Sequence, residues 1–162
     1  MMDLIENWSK IRTHFRTSLR GNLHVAIASV CEDGTPTVSS VGSLFLNDNQ
    51  TGFYFEKYVT KLPKNATDRA QICVLGVNSS KLFWLRSLFK GRFDRYPAVR
   101  LYGTLGVKRD ATEKEKARLK RMVRSTSWLK GNKYMWSDMP YVREVSFHKA
   151  EKINLGKMTT GL

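Results

Sequence analysis

A short stretch with anion-binding chemistry lies between two apolar segments of the chain. In YVTKLPKN, residues 58–65, Thr60 and Lys61 come just before Pro63, and Lys64 follows it. Proline is favoured in the first turn of a helix, where free backbone N–H groups and the helix dipole attract anions. A threonine hydroxyl and a lysine ammonium at that point match a phosphate group. The stretch therefore predicts either an anion site at a helix N-terminus or a solvated turn.

Other residue types with catalytic or metal-binding chemistry are scattered along the chain. The histidines form no ligand spacing, and Cys31 and Cys73 lie in separate apolar segments, which is typical of buried thiols. The sequence contains no nucleophile motif, catalytic triad order or carboxylate pair. We therefore expect no metal site and no disulfide, and the catalytic residues stay unassigned.

The basic residues are concentrated in the second half of the chain. The formal net charge of the 162 residues is +14; residues 1–81 contain 9 basic and 7 acidic residues, whereas residues 82–162 contain 19 and 7. A basic half attracts an anionic partner, such as nucleic acid, a phosphorylated small molecule or an anionic membrane surface. It also keeps a protein soluble, and charge alone does not decide between these alternatives.

Length and hydropathy predict a single soluble domain over residues 1–162. No apolar run approaches the length of a transmembrane helix, and MMDLIENWSK lacks the features of a signal peptide. We expect a cytoplasmic protein that makes no contact with a membrane.

The hydrophobic pattern predicts one long helix followed by a sheet. Apolar residues recur every three or four positions in residues 3–19, which indicates an amphipathic helix. Six strands are predicted within residues 22–155, in LHVAIASV, TVSSVGSLFL, GFYFEKY, QICVLGV, AVRLYGTLGVKR and YVREVSFHKAEKINL. The Asp-Gly pair of EDGTP predicts a tight hairpin turn, and NATDRA predicts a short helix. Together these elements predict a mostly antiparallel barrel with helices at its openings.

Four stretches within residues 20–125 together resemble a known family. They are HVAIASVCEDGTPTVSSVGSLFL, GFYFEKY, VTKLPKNATDRAQICVLG and VRLYGTLGVKRDATEKEK. The chain resembles the pyridoxamine 5'-phosphate oxidase-like proteins, which are FMN-binding split β-barrels. The resemblance implies a mainly β (α+β) fold: an antiparallel six-stranded split β-barrel with flanking helices. It also implies a homodimer with the cofactor at the subunit interface.

The resemblance carries over to a cofactor site. In the family the second strand passes along the isoalloxazine ring of FMN, and the turn after the third strand binds the phosphate. Backbone groups of a strand can pair with the polar edge of the ring, and small side chains allow its close approach. The residues implied at the ring are Ser39, Ser40, Val41 and Gly42. Those implied at the phosphate are Lys57, Thr60 and Lys61.

The sequence departs from the pyridoxamine-phosphate oxidases themselves. They carry an arginine where Ser39 stands and an Arg-Lys pair where Thr60 and Lys61 stand. Their C-terminal arginine motif, which binds the substrate phosphate, has no counterpart here. These differences argue against oxidation of pyridoxamine phosphate. Related groups of the family bind a deazaflavin or haem. The same sequence differences therefore also leave the identity of the cofactor open.

A basic and aromatic segment, residues 81–100, has three interpretations. Its apolar helical face consists of Leu85, Leu88 and Phe89. The favoured interpretation is a dimer seam, where aromatic residues and arginine are enriched. The second is a wall of the partner's cofactor cleft, in which Trp84 stacks and Arg86 pairs with an anionic substrate. The third is a nucleic-acid surface, which ranks last because no recognised nucleic-acid module accompanies it.

A second aromatic segment, WLKGNKYMWSDMP, predicts packing over the barrel mouth. The packing residues are expected to be Trp128, Tyr134, Met135, Trp136 and Met139. A position of Trp136 beside the flavin is the weaker alternative.

The main functional hypothesis is an FMN-binding flavoprotein that acts as an oxidoreductase on a small substrate, either neutral or anionic. A flavin carries the redox chemistry itself, which agrees with a sequence that has no catalytic constellation. The alternative is a non-enzymatic binding module for haem, a deazaflavin or nucleic acid.

Overall fold

Seven β-strands and five α-helices are present in residues 2–162, which are the residues that the computed structural model describes. The strands are β1 Val25–Val30, β2 Pro36–Val41, β3 Leu44–Leu46, β4 Thr51–Phe55, β5 Gln71–Val77, β6 Ala98–Asp110 and β7 Tyr141–Lys152. The helices are α1 Leu4–Asn22, α2 Lys61–Asp68, α3 Lys81–Lys90, α4 Glu113–Met122 and α5 Lys130–Trp136, and short 3-10 helices occupy Arg124–Thr126 and Gly156–Thr159. The predicted mainly β fold of the α+β class, with flanking helices, is confirmed.

All seven strands form one antiparallel sheet in the order β2-β1-β5-β6-β7-β4-β3. The strands at its two ends, β2 and β3, are consecutive in the chain and are separated only by Gly42 and Ser43. Because one bent stretch of chain supplies both ends, the sheet curls into the predicted split barrel.

The barrel has seven strands rather than the predicted six because TVSSVGSLFL is broken into β2 and β3. Before the break the chain pairs with β1, and after it the chain pairs with β4. Ser43 stabilises the bend, since the amide N–H of Phe55 donates to its hydroxyl oxygen over 3.1 Å. Small and apolar residues continue through the break, so the hydrophobic pattern does not reveal it.

α1 covers one side of the core. Its side chains Trp8, Ile11 and Phe15 are buried in the main apolar cluster. Burial of each of these side chains stabilises the fold by about 1.5–3 kcal/mol relative to exposure. The helix continues three residues past its predicted end at residue 19 and ends where Leu23 adopts a φ of 62°.

The structure confirms the predicted hairpin turn and corrects the start of α2 and the burial of the cysteines. The Asp-Gly turn joins β1 to β2, with Gly34 at a φ of 85°. α2 begins at Lys61 rather than within NATDRA, because Leu62 already packs in the core. Cys31 and Cys73 are free thiols, but both are partly exposed rather than buried as predicted.

Within residues 2–162, no helix is both long and apolar enough to cross a membrane.

The aromatic segment around α5 packs only in part. Met139 is buried and Trp136 is half-buried against the cluster that α4 covers. The prediction that Trp128, Tyr134 and Met135 also pack is wrong, because their exposed fractions are 78%, 76% and 51%. α5 lies on the surface, and only its last residue contacts the core.

Candidate functional site

The stretch with predicted anion-binding chemistry opens α2. Thr60 is the N-cap residue, and among the described residues its hydroxyl accepts no hydrogen bond from the helix backbone. The first turn consists of Lys61, Leu62, Pro63 and Lys64, so it contains no acidic side chain. Leu62 is fully buried, whereas Thr60, Lys61 and Lys64 are exposed. The hydroxyl, the ammonium groups and the free amides of this turn are therefore accessible to an anion.

A chain of hydrogen bonds fixes α2 against the β1–β2 hairpin. The buried Asn65 side chain donates to the Ser29 hydroxyl over 2.9 Å, and that hydroxyl lies 3.1 Å from the hydroxyl of Thr37. The positive charge of Lys61 also acts on the hairpin turn. The pKa of the Asp33 carboxyl lies below its ordinary value, chiefly because a turn amide donates to it and, to a smaller degree, because Lys61 is near. The candidate phosphate turn therefore has a defined position beside β2.

β2 offers backbone groups along one side of the candidate site. It is an edge strand, because within residues 2–162 it pairs with β1 alone. Its other edge therefore carries backbone N–H and C=O groups that are open to a ligand. Ser39 lies on the half-buried face of β2, Ser40 lies on the exposed face, and Val41 is buried.

Gly42 is closely surrounded where β2 ends. A β carbon on Gly42 would lie 2.8 Å from the carbonyl oxygen of Leu23 and 3.2 Å from Cη2 of Trp136. The room that the glycine leaves is thus already occupied by the end of α1 and by the Trp136 indole. The predicted close approach of the flavin ring at Gly42 would need this same room, which protein atoms fill in the structure.

Two further residues of the candidate site are tied to the α5 segment. The Lys57 ammonium donates to the backbone carbonyl of Asp138 over 2.7 Å and lies 3.5 Å from its carboxylate. The hydroxyl of Tyr58 donates to the carbonyl oxygen of Tyr134 over 2.9 Å. Together with the Trp136–Gly42 contact, these bonds join the end of β2, the turn before α2 and the α5 segment into one region.

The remaining two predicted residues, Trp84 and Arg86, lie on α3. This helix follows β5, which is separated from β2 by β1 in the sheet. The Trp84 indole N–H donates to the carbonyl of Asn78 over 2.6 Å, and its ring meets Phe93 edge-on at 5.1 Å. This arrangement favours packing over the predicted stacking for Trp84. Arg86 is exposed.

A buried ionic network beside the turn was not predicted from the sequence. Glu56 directly follows β4 and is 6% exposed; its carboxylate accepts two hydrogen bonds from Arg143 and one, of 3.0 Å, from the Tyr54 hydroxyl. Burial, followed by the nearby Glu56 charge, raises the pKa of Tyr54. The hydrogen bonds from Arg143 to Glu56 raise the pKa of Arg143. The network fixes the residue that immediately precedes Lys57.

One sequence signal bears on this network. In GFYFE, Glu56 lies two residues after Tyr54 and shares its face of the strand, so a buried partner is expected for it. That partner is identified only by the β4–β7 register, which places Tyr54 opposite Arg143.

Comparison with known proteins was informative only for structure. No protein-family model matches the chain, and no curated protein sequence is significantly similar to it. An FMN-binding protein from Syntrophomonas wolfei subsp. wolfei is 13% identical with a TM-score of 0.58, over 93% of this chain and 95% of that one. A protein related to general stress protein 26, of the pyridoxinephosphate oxidase family, from Clostridium acetobutylicum is 13% identical with a TM-score of 0.50, over 95% and 97%. The haem storage protein HutZ from Vibrio cholerae is 11% identical with a TM-score of 0.53, over 93% and 95%.

These similarities define the fold of the chain. It has the split-barrel fold of the pyridoxamine 5'-phosphate oxidase-like proteins, which confirms the predicted resemblance at the level of fold. One of these structural relatives is described as binding FMN and another as storing haem. The fold alone therefore does not select the cofactor, and the choice rests on the residues of the site.

Proposed function

We propose that this protein is an FMN-binding flavoprotein whose phosphate site is the N-terminus of α2. The observation that carries the proposal is the Thr60 hydroxyl beside Lys61, which caps no helix amide among the described residues, on a helix that buried Leu62 and Asn65 hold in place. A phosphate dianion there meets a hydroxyl donor, free backbone N–H groups and an ammonium group. Lys64, on the same turn, adds to the positive potential from outside the site.

The ring of the flavin would lie along the free edge of β2. Backbone groups of Ser39, Ser40 and Val41 are the partners for its polar pyrimidine edge, and Gly42 marks the end of the ring pocket. Lys57 supports this arrangement from the side, because its ammonium already holds the Asp138 carbonyl. When bound, the flavin supplies the electron- or hydride-transfer chemistry, while the chain binds and orients it.

The same proposal gives the protein an oxidoreductase activity on a small substrate. The basic half of the chain favours an anionic substrate, since a cationic surface raises the local concentration of anions. The exposed guanidinium of Arg86 is a candidate partner for such a substrate in the neighbouring subunit's cleft.

A homodimer is the proposed assembly. Four large apolar side chains on α3 are exposed by 75%, 68%, 64% and 94%: Leu82, Leu85, Leu88 and Phe89. A contiguous exposed apolar face of this kind is typical of a protein–protein contact. A second copy docked there would give the homodimer that the family resemblance implies, and it would place Arg86 at the subunit interface.

A flavin titration tests the proposal. We expect the purified protein to bind FMN with shifted visible flavin absorption bands and to bind riboflavin, which has no phosphate, more weakly. Isothermal titration calorimetry with both ligands gives the two dissociation constants. Failure to bind FMN, or equal affinity for FMN and riboflavin, would contradict the phosphate site at α2.

Haem is a second candidate cofactor, favoured by one observation. His24 is exposed and lies next to Val25, which pairs with Val41, so the imidazole is close to the end of β2. Its Nδ1 lies 2.9 Å from the Asn22 carbonyl oxygen. A hydrogen bond from Nδ1 to that carbonyl leaves Nε2 with its lone pair, which is the tautomer that ligates metals.

Haem titration separates this candidate from flavin. If haem is the cofactor, a Soret band shift appears on haem addition and is lost in His24→Ala but kept in His148→Ala, which changes another exposed histidine. A haem spectrum that both variants leave unchanged would exclude His24 as the ligand.

A further inference from the structure

We propose that Trp136 is a ring-contacting residue of the cofactor cleft, placed there by α5; this inference rests on the proposed flavin site. Trp136 is the last residue of α5, and its Cη2 and Cζ2 atoms would lie 3.2 Å and 3.6 Å from a β carbon on Gly42. The indole therefore touches the backbone at the end of β2. Sequence position gives no hint of this contact, because Gly42 and Trp136 are 94 positions apart in the chain.

The Trp136 contact and the open edge of β2 lie in different directions from Gly42. Trp136 approaches Gly42 from the side on which a β carbon would project, whereas the open hydrogen-bonding groups of β2 point along the plane of the sheet. A flat ring that pairs with the β2 edge then presents one face towards the indole. Offset or edge contacts between two aromatic systems are favourable in such a place.

The position of α5 is set by the same turn that would bind the phosphate. Tyr58 donates to the carbonyl oxygen of Tyr134, and Lys57 donates to that of Asp138, so bonds on both sides of Trp136 lead to the turn before α2. α5 buries none of its own residues, and Tyr134 and Met135 are exposed. A surface helix with so little burial takes its position from these contacts. Phosphate binding and indole placement are therefore parts of one structural unit.

Flavin fluorescence and affinity in variants of Trp136 test the inference. A tryptophan in contact with a flavin quenches its emission by electron transfer, so bound flavin is expected to be weakly fluorescent in the unaltered protein. Trp136→Phe, which keeps an aromatic ring, should restore much of this emission and change the dissociation constant for FMN by only a few-fold. Trp136→Ala should weaken binding of both FMN and riboflavin by about 5- to 100-fold, as loss of an aromatic stacking partner does. Trp128→Ala is the matched control, since Trp128 is 78% exposed and should change neither quantity.

The outcomes separate this inference from the proposed function. If the unaltered protein binds no flavin, the proposed function fails first. If it binds flavin, but Trp136→Phe leaves the bound emission quenched and Trp136→Ala leaves both affinities unchanged, the flavin site stands and the role of Trp136 is refuted. Because Trp136→Phe keeps an aromatic ring at this half-buried position, it disturbs the packing less than Trp136→Ala does, and the emission test still applies if Trp136→Ala fails to fold.

Discussion

The ammonium nitrogen of Lys57 lies 2.7 Å from the backbone carbonyl oxygen of Asp138, 81 residues further along the chain. This bond connects the turn that precedes α2 to the segment that follows α5. The family resemblance implies Lys57 directly at the phosphate, and that role stays a prediction. The ammonium of Lys57 is engaged by the chain, whereas Lys61 is exposed at the start of α2 and is the proposed phosphate ligand.

The first prediction concerns this link. Lys57→Met keeps much of the side-chain length but removes the donor, so α5 should be held less firmly. An exposed hydrogen bond contributes about 0.5–1.5 kcal/mol, so amide hydrogen exchange in residues 130–136 should become roughly 2- to 10-fold faster. Lys130→Met changes an exposed lysine on α5 itself and serves as the control. Exchange in α5 that is the same in both variants would contradict the role of Lys57.

The second prediction concerns the bend between β2 and β3. Gly42→Ala places a methyl group 2.8 Å from the Leu23 carbonyl oxygen, which the backbone must move to accommodate. We expect the free energy of unfolding to fall by about 1–3 kcal/mol, the usual cost of overpacking. Gly131→Ala is a contrasting control, because Gly131 lies in α5 with nothing within 4 Å of an added β carbon. It should raise the stability by up to about 1 kcal/mol. Urea unfolding measures the free energy of unfolding of the two variants. Equal changes in Gly42→Ala and Gly131→Ala would contradict the close contact at Gly42.

The third prediction concerns the buried pair of Glu56 and Arg143. Their side chains are 3% and 12% exposed, so Arg143→Met leaves a buried carboxylate with the neutral Tyr54 hydroxyl and, as the one remaining cation among the described residues, Lys108 at 3.7 Å. Removing one partner of a buried pair costs about 3 kcal/mol or more, which urea unfolding would detect. Lys149→Met breaks the Lys149–Glu151 ion pair, which is more exposed than the Glu56–Arg143 pair. It should lower the free energy of unfolding by about 0.2–1 kcal/mol. A loss for Arg143→Met no larger than that control would show that the pair is not a structural anchor.

The fourth prediction concerns pH. Burial lowers the pKa of His14 below its ordinary value of 6.5, and its Nε2 lies 2.8 Å from the Gly76 carbonyl oxygen. The unfolded chain therefore takes up the proton first, so the stabilising contribution is complete above pH 6.5 and is lost as the pH falls below it. The slope from this group is at most about 1.4 kcal/mol per pH unit.

His14→Gln keeps an N–H donor but does not titrate. Urea unfolding between pH 7.5 and about 5 should show a smaller decline in stability for this variant than for the unaltered protein. Carboxylates with a lowered pKa, such as Glu115, lose their contribution only at lower pH, below their ordinary value of 4.5. Parallel declines in the two proteins above pH 5 would refute the contribution of His14.

The sequence was most informative where a local pattern determines the structure. The Thr60–Pro63 stretch contains its own helix start, and Leu62 with Asn65 supplies the buried face, so the position of the α2 turn followed from neighbouring residues. The Asp-Gly hairpin and the amphipathic face of α1 were predictable for the same reason.

The remaining features depend on contacts between distant segments. Residue 42 has no room for a β carbon because the Leu23 carbonyl and the Trp136 indole occupy the space beside it, and no local pattern encodes either neighbour. The partner of Glu56 lies 87 residues away and is identified only by the strand register. The exposure of Trp128 and Tyr134 likewise follows from the placement of α5 on the surface, since their residue types alone favour burial.

The central claim is that the N-terminus of α2 binds the phosphate of FMN through Lys61. The most direct measurement is the dissociation constant of FMN and of riboflavin for Lys61→Ala and for Lys64→Ala, its exposed neighbour on the same turn. Loss of a charge-assisted contact of about 1.5–3 kcal/mol predicts FMN binding roughly 10- to 150-fold weaker in Lys61→Ala, with riboflavin binding unchanged. Lys64→Ala should change FMN affinity by only a few-fold. Equal FMN affinities for the two variants and the unaltered protein would contradict the claim.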